Sequence, residues 1–119
     1  MLTLVPSPAY LHIRASGRVS VADYRRFEPE FAAELEGRQM PIPLLLDMRG
    51  FRGWTPGGLV RDLMWDLRNR RTLSRIAVIG DAAWHRWITI AGRPLFRAPM
   101  KFFRSADEAI GWLEARHTG

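Results

Sequence analysis

A chain of 119 residues with 47% hydrophobic and 25% charged residues has the size and balance of one globular domain, enough for a core but too short for two. It contains no cysteine, which excludes disulfides, a thiol nucleophile and thiolate metal sites, and it has no apolar run long enough to span a membrane as a helix. The formal charge of +6 is carried almost wholly by arginine, Lys101 being the only lysine, and the arginines are spread over every segment, so no nucleic-acid partner is expected.

The N-terminus, Met1-Leu2-Thr3-Leu4-Val5-Pro6, shows neither a basic n-region nor a cleavage site, and a cytoplasmic protein is expected. Leu2 to Val5 reads as a short strand closed by a turn at Pro6-Ser7-Pro8. Ala9 to Ala15 reads as a second strand, with Leu11, Ile13 and Ala15 on one face and Tyr10, His12 and Arg14 on the other. Gly17 is expected to end it. Ser20 with Asp23 forms a capping-box pattern for a helix from Val21 to Glu36, whose Tyr24, Phe27, Phe31 and Leu35 make one apolar stripe. Pro29 falls inside that helix and predicts a kink or restart, and Gly37 is placed to end it in the left-handed conformation.

Ile42 to Met48 is nearly all apolar, as a central strand buried on both faces would be. A helix is predicted from Pro56 to about Arg71, a second central strand from Arg75 to Gly80, a helix capped by Asp81 running to about Ala91, a strand from Met100 to Arg104, and a last helix to Arg116 with Ser105 and Glu108 as its capping box. The predicted fold is a single α/β domain with a mixed, mostly parallel sheet of about five strands flanked by about four helices, its first two strands pairing antiparallel.

In such a sheet, ligand-binding groups gather at the carboxyl ends of the strands. One loop expected there is "DMRGFRGWTPGG", Asp47 to Gly58. Thr55-Pro56 reads as an N-cap followed by a first helical residue. The amides of Gly57 and Gly58 would open the helix, where an anion helped by Arg52 would be favoured. The spacing matches neither a P-loop nor a dinucleotide fingerprint, and a glycine-rich turn into a capped helix accounts for it.

Four phrases, "ASGRVSVADYRRFEPEF", "IPLLLDMRGFRGW", "SRIAVIGDAAWHRW" and "MKFFRSADEAIGWL", resemble in order and spacing the SpoIIAA-like family, a branch of the STAS-type fold. The resemblance covers about residues 9 to 114 and implies a bacterial, single-domain regulator. In the anti-sigma-factor antagonists of that fold, a serine at the start of the helix after the third strand is phosphorylated to switch partners. The resemblance puts Gly57 at that serine, Thr55 at a preceding aspartate and Pro56 between them, with Gly58-Leu59 kept. It therefore implies the position of a switch without its acceptor hydroxyl, and Thr55 is read as a cap.

Catalysis would need a nucleophile, a base and a positioned partner. The histidines His12, His85 and His117 show no metal-ligand spacing, and none is read as having an acid four positions away. Asp47 and Asp81 end central strands and, with His85, are the weakest reading, an enzyme; they are read first as loop caps. No catalytic residue, metal or cofactor is assigned. Apolar surface is more informative. On the helix from Pro56, Leu59, Val60, Leu63, Met64 and Leu67 form the core arc, while Trp65 lies opposite among charges, as an interface anchor would. On the helix after Asp81, Ala83, Trp84, Trp87, Ile88, Ile90 and Ala91 span about 160 degrees, more than one sheet contact needs. The expected function is a non-enzymatic binding module. Its partner surface, for a second copy or another protein, comprises Asp47, Arg52, Trp54, Thr55, Gly57, Gly58 and Trp65. The alternative is a carrier or sensor of a small apolar molecule held by Trp54, Met64, Trp84 and Trp87.

Overall fold

The computed structural model describes residues 1–38, 41–58, 72–92 and 98–115. The helix expected from Pro56 is described only over its first turn, 56–58, so Trp65 and the whole core arc, Met64 included, lie outside the described residues.

The strands are β1 (Leu2–Val5), β2 (Leu11–Ala15), β3 (Gly17–Val19), β4 (Ile42–Asp47), β5 (Phe51–Trp54), β6 (Leu73–Ile79) and β7 (Met100–Phe103), and the helices are α1 (Val21–Leu35), α2 (Ala83–Gly92) and α3 (Ala106–Glu114). Five strands form one sheet in the order β1-β2-β4-β6-β7. β1 and β2 pair antiparallel, and every later pair is parallel, as predicted. The central strands β4 and β6 are buried on both sides. Leu44, Ile76 and Val78 join a cluster with Leu11, Ile13, Tyr24, Phe27 and Phe31, whereas Leu45, Ala77 and Ile79 pack with Ala109 and Leu113. Alternation along each strand sorts these residues onto opposite faces. α1 covers the first face together with Ile88 of α2, and α3 covers the second.

Capping logic places the helix ends. Ser20 accepts from the Asp23 amide and the Asp23 carboxylate accepts from the Ser20 amide, closing the capping box of α1. Gly37 turns the chain with φ of +80°, and Ser105 accepts from the Glu108 amide at the start of α3.

Several expectations are corrected. α1 does not restart at Pro29 but runs continuously through it; Pro29 and Arg25, whose carbonyl loses its amide partner to the proline, are both exposed residues. Strand β2 begins at Leu11, because residues 8–10 form a bend. β2 ends at Ala15, before Gly17 as expected, but no loop follows. With φ of +61° Gly17 redirects the chain into β3, which pairs in parallel with β5 as a second, two-stranded sheet. Residues 51–54, expected as loop, are therefore a strand. Helix α2 starts at Ala83, two residues beyond the Asp81 expected to cap it.

Replacing Ser20 with alanine removes one arm of the capping box and is expected to lower stability by about 1 kcal/mol. A denaturant midpoint unchanged from wild type would show that the box contributes nothing to α1.

Candidate functional site

The carboxyl ends of β4 and β6 lie side by side, with Asp47 opposite Ile79. From here the chain leaves by two segments, 48–58 and 80–83, and His85 ties them together. The ring is 1% exposed. Its Nε2 lies 3.0 Å from the Phe51 carbonyl and its Nδ1 is 3.3 Å from the Asp81 amide. One tautomer satisfies both: Nε2–H donates to Phe51 and Nδ1 accepts from Asp81. Asp81 Oδ1 also stands 3.5 Å from Nδ1. Asp81 and His85 are four residues apart, a relation the sequence reading overlooked when it found no acid at that spacing. Gly80 permits the close approach, since a Cβ there would lie 2.7 Å from both His85 Cβ and the Phe102 ring.

Around His85 the aromatic residues form a chain of contacts. Phe51 meets Trp54 edge-on at 4.8 Å and stacks on Trp84 at 5.5 Å. Trp84 lies 4.4 Å from the His85 ring. Trp54 and Trp84, expected in one pocket, are thus joined through Phe51, a residue the sequence reading did not single out for this role. Trp87 points away from them and is 70% exposed. An apolar cavity of about 50 Å³ lies beneath Trp54, between Leu2, Tyr24, Leu46, Met48 and Phe51. Trp54 closes one side of it and donates its indole N–H to the Tyr24 hydroxyl at 3.4 Å.

Helix α2 carries its polarity the wrong way round for a core helix. His85 and Thr89 are buried, Thr89 donating to the His85 carbonyl at 2.9 Å. Trp84 and Ile90, each 39% exposed, and Trp87 face outward, as do Ala83 and Ala91. The wide apolar arc seen in the sequence is therefore not all core.

On the other side of the sheet, Asp47 is buried and accepts two hydrogen bonds from the Arg49 guanidinium, at 3.0 and 2.8 Å, and one from the Arg49 amide at 3.0 Å. Arg14, its register partner on β2, approaches to 3.8 Å. Burial alone would raise the Asp47 carboxyl. The Arg49 hydrogen bonds and the charges of Arg49 and Arg14 outweigh it and hold the group below its ordinary value. Asp47 is thus a fixed anion, and both ring nitrogens of His85 are engaged. Among the described residues no group of three His, Asp or Glu side chains is arranged to hold a metal ion, and no helix is long and apolar enough to cross a membrane.

At the expected switch position, Thr55 Oγ1 accepts from the Gly58 amide at 3.0 Å, as a cap should. That bond occupies one of the two amides expected to greet an anion. Gly58 is buried, and a Cβ there would lie 2.2 Å from the Val19 carbonyl. Gly57 and Arg52 are exposed.

The SpoIIAA-like family model matches residues 10–114. The chain belongs to the SpoIIAA-like family. Among solved structures, an uncharacterized protein of the DUF3478 family with a SpoIIAA-like fold, from Shewanella loihica PV-4, is similar to it with a TM-score of 0.83 and 26% identity, over 95% of this chain and 92% of that one. No curated protein matches. Within this SpoIIAA-like domain the site has one apolar side, built on Phe51 and α2, and one charged side, built on Asp47.

Two outcomes test this geometry. Gly58→Ala forces a backbone shift at Val19 and is expected to destabilise by about 1–3 kcal/mol, whereas Gly57→Ser needs only a few tenths of an ångström from Val21 and should cost less; equal losses in thermal melts would refute the packing. Asp47→Asn is expected to cost about 1–3 kcal/mol at neutral pH. Because the folded-state carboxyl is lowered, its contribution is complete above the unfolded value near 4 and vanishes as pH falls through the folded one. A wild-type advantage that stays constant into strong acid would show that Asp47 is not held as an anion.

Proposed function

We propose that this SpoIIAA-like domain is a non-enzymatic binding module of the bacterial cytoplasm that joins a second copy of itself, or another protein, through the outer face of α2 and the segment from Asp47 to Gly58. The observation that carries this reading is the inverted polarity of α2, with Trp87 at 70% exposure between Trp84 and Ile90. A helix that buries histidine and threonine while showing two tryptophans to solvent leaves its most favourable contact area unused in the monomer. Arg52, Thr55 and Gly57 border this surface in sequence, and Trp65 is proposed as a further anchor. Gly57 stands where related regulators carry an acceptor serine, and Thr55 is occupied as a cap, so binding is proposed to be independent of phosphorylation at this helix start.

A carrier of a small apolar molecule is the second reading. The apolar cavity at Trp54 favours it, but about 50 Å³ is well short of the roughly 300 Å³ at which ligand pockets begin. Of the four residues proposed for that pocket, Trp54 lines the cavity, Trp84 stacks beside it, Trp87 faces solvent, and Met64 lies outside the described residues.

Trp87→Glu removes the exposed ring without touching the core. By sedimentation the wild type is expected to be a dimer and Trp87→Glu a monomer with an unchanged melting temperature. A monomeric wild type, or a dimer indifferent to the change, removes the self-association reading.

A further inference from the structure

Among the described residues no helix covers the α3 side of the sheet at Thr3 of β1 and Arg14 of β2, and both are exposed. Thr3, Arg14 and Asp47 stand in register across three neighbouring strands, and His12 lies two residues before Arg14 on the same face. The Arg14 side chain is 53% exposed and makes no hydrogen bond among the described residues, its single polar contact there being the Asp47 carboxylate at 3.8 Å. Arg49 is 47% exposed, with Nε and Nη2 fastened to Asp47 and Nη1 unengaged among the described residues. The Nε2 atom of His12 is buried without a partner, although an unmade bond at a buried polar atom costs free energy. Two guanidiniums against one buried carboxylate leave the cluster one positive charge in excess. Asp81 lies close enough to act on Arg49, but its carboxylate is turned to His85.

We propose that His12, Arg14 and Arg49 form a binding site for a phosphate-type oxyanion, on the sheet face opposite the aromatic surface. The buried Asp47 fixes Arg49 by a bidentate bond and draws Arg14 towards it, so the arginine forks are partly preorganised before any ligand arrives. His12 Nε2–H supplies a third donor for an oxygen that two guanidiniums alone leave unbonded, which suits a phosphate group better than a carboxylate. The imidazole is held below its ordinary value, first by desolvation and then by Arg14 and Arg49, against the opposing pull of Asp47. A bound dianion reverses the balance and raises it. The site shares no residue with the α2 face of Trp84, Trp87 and Ile90, and meets the proposed partner surface only at Arg49, in the segment from Asp47 to Gly58.

The test is a proton NMR titration of the His12 ring, assigned by the loss of its signal in His12→Gln, with inorganic phosphate compared against chloride at equal ionic strength. Phosphate is expected to raise the His12 titration midpoint. Arg14→Gln, which breaks no side-chain hydrogen bond among the described residues, is expected to weaken the response about tenfold, as loss of one charge-assisted contact implies, while Arg25→Gln, at an exposed position of α1, leaves it unchanged. A parallel arm uses phosphatidylcholine vesicles with and without phosphatidic acid. An Arg14-dependent response to inorganic phosphate identifies a soluble phosphate group, and one seen only with phosphatidic acid identifies a lipid headgroup; either supports the site. No Arg14-dependent response in both arms overturns it and leaves the cluster as an ion-pair network only.

Discussion

Every other feature of this domain depends on burying β4 and β6 on both faces. A parallel pair joined by crossovers has helices on either side, and the residues comply: Leu44, Ile76 and Val78 serve one layer, Leu45, Ala77 and Ile79 the other. With both faces sealed, the strands have only their ends left for chemistry or recognition, and the carboxyl ends are where the chain turns out into 48–58 and 80–83. The charged residue carried at that end, Asp47, is buried. It is stable there because Arg49, two residues on, folds back to satisfy both of its oxygens.

The same constraint explains α2. α2 packs against β7 at the edge of the sheet and, among the described residues, adds only Ile88 to the core on that face. It is held by a bonded polar contact instead, His85 spanning Phe51 and Asp81, with Ile88 as its apolar foot. What would be the core stripe of an ordinary helix is left outside. Burial of a hydrogen-bonded histidine costs little, whereas exposure of two tryptophans forfeits area that only another surface can recover.

The sequence made the main sheet legible because its signals are local. The apolar run 42–48 and "RIAVIG" can be little but buried strands, and serine caps mark where α1 and α3 begin. The small sheet was not legible. β3 and β5 are a Gly-Arg-Val and a Phe-Arg-Gly-Trp, too short for periodicity, and each contains a glycine with positive φ, Gly17 and Gly53, which reads as a turn. Their pairing joins residues more than thirty apart, and no local pattern announces such a contact. The site was legible in parts: Asp47, Trp54 and Thr55 were picked out by position. The role of Phe51 in joining Trp54 to Trp84 was missed because one phenylalanine in a glycine-rich stretch looks like any other. The spacing of Asp81 and His85 was present in the sequence and overlooked; an acid one helical turn before a histidine was the signal that would have found it. The role of Arg14 follows only from its register with Asp47, which the sequence alone does not fix.

The two sides of the site meet in one short segment. Asp47 anchors its start through Arg49, and His85 anchors its end through the Phe51 carbonyl. Between them Gly50, at φ of +85°, makes the turn that carries the chain from the charged side of the sheet to the aromatic one. A further bond, from the Gly17 amide to the Gly50 carbonyl at 2.9 Å, fastens the turn to the start of β3. The segment is thus fixed at three points by groups from three different elements. Its side chains reach opposite faces of the same sheet, Arg49 towards Asp47 and Phe51 towards Trp84. A surface that presents a fixed cation on one side and a stacked aromatic pair on the other, with Arg49 and Phe51 two residues of chain apart, owes both to the sealed central strands from which that segment emerges.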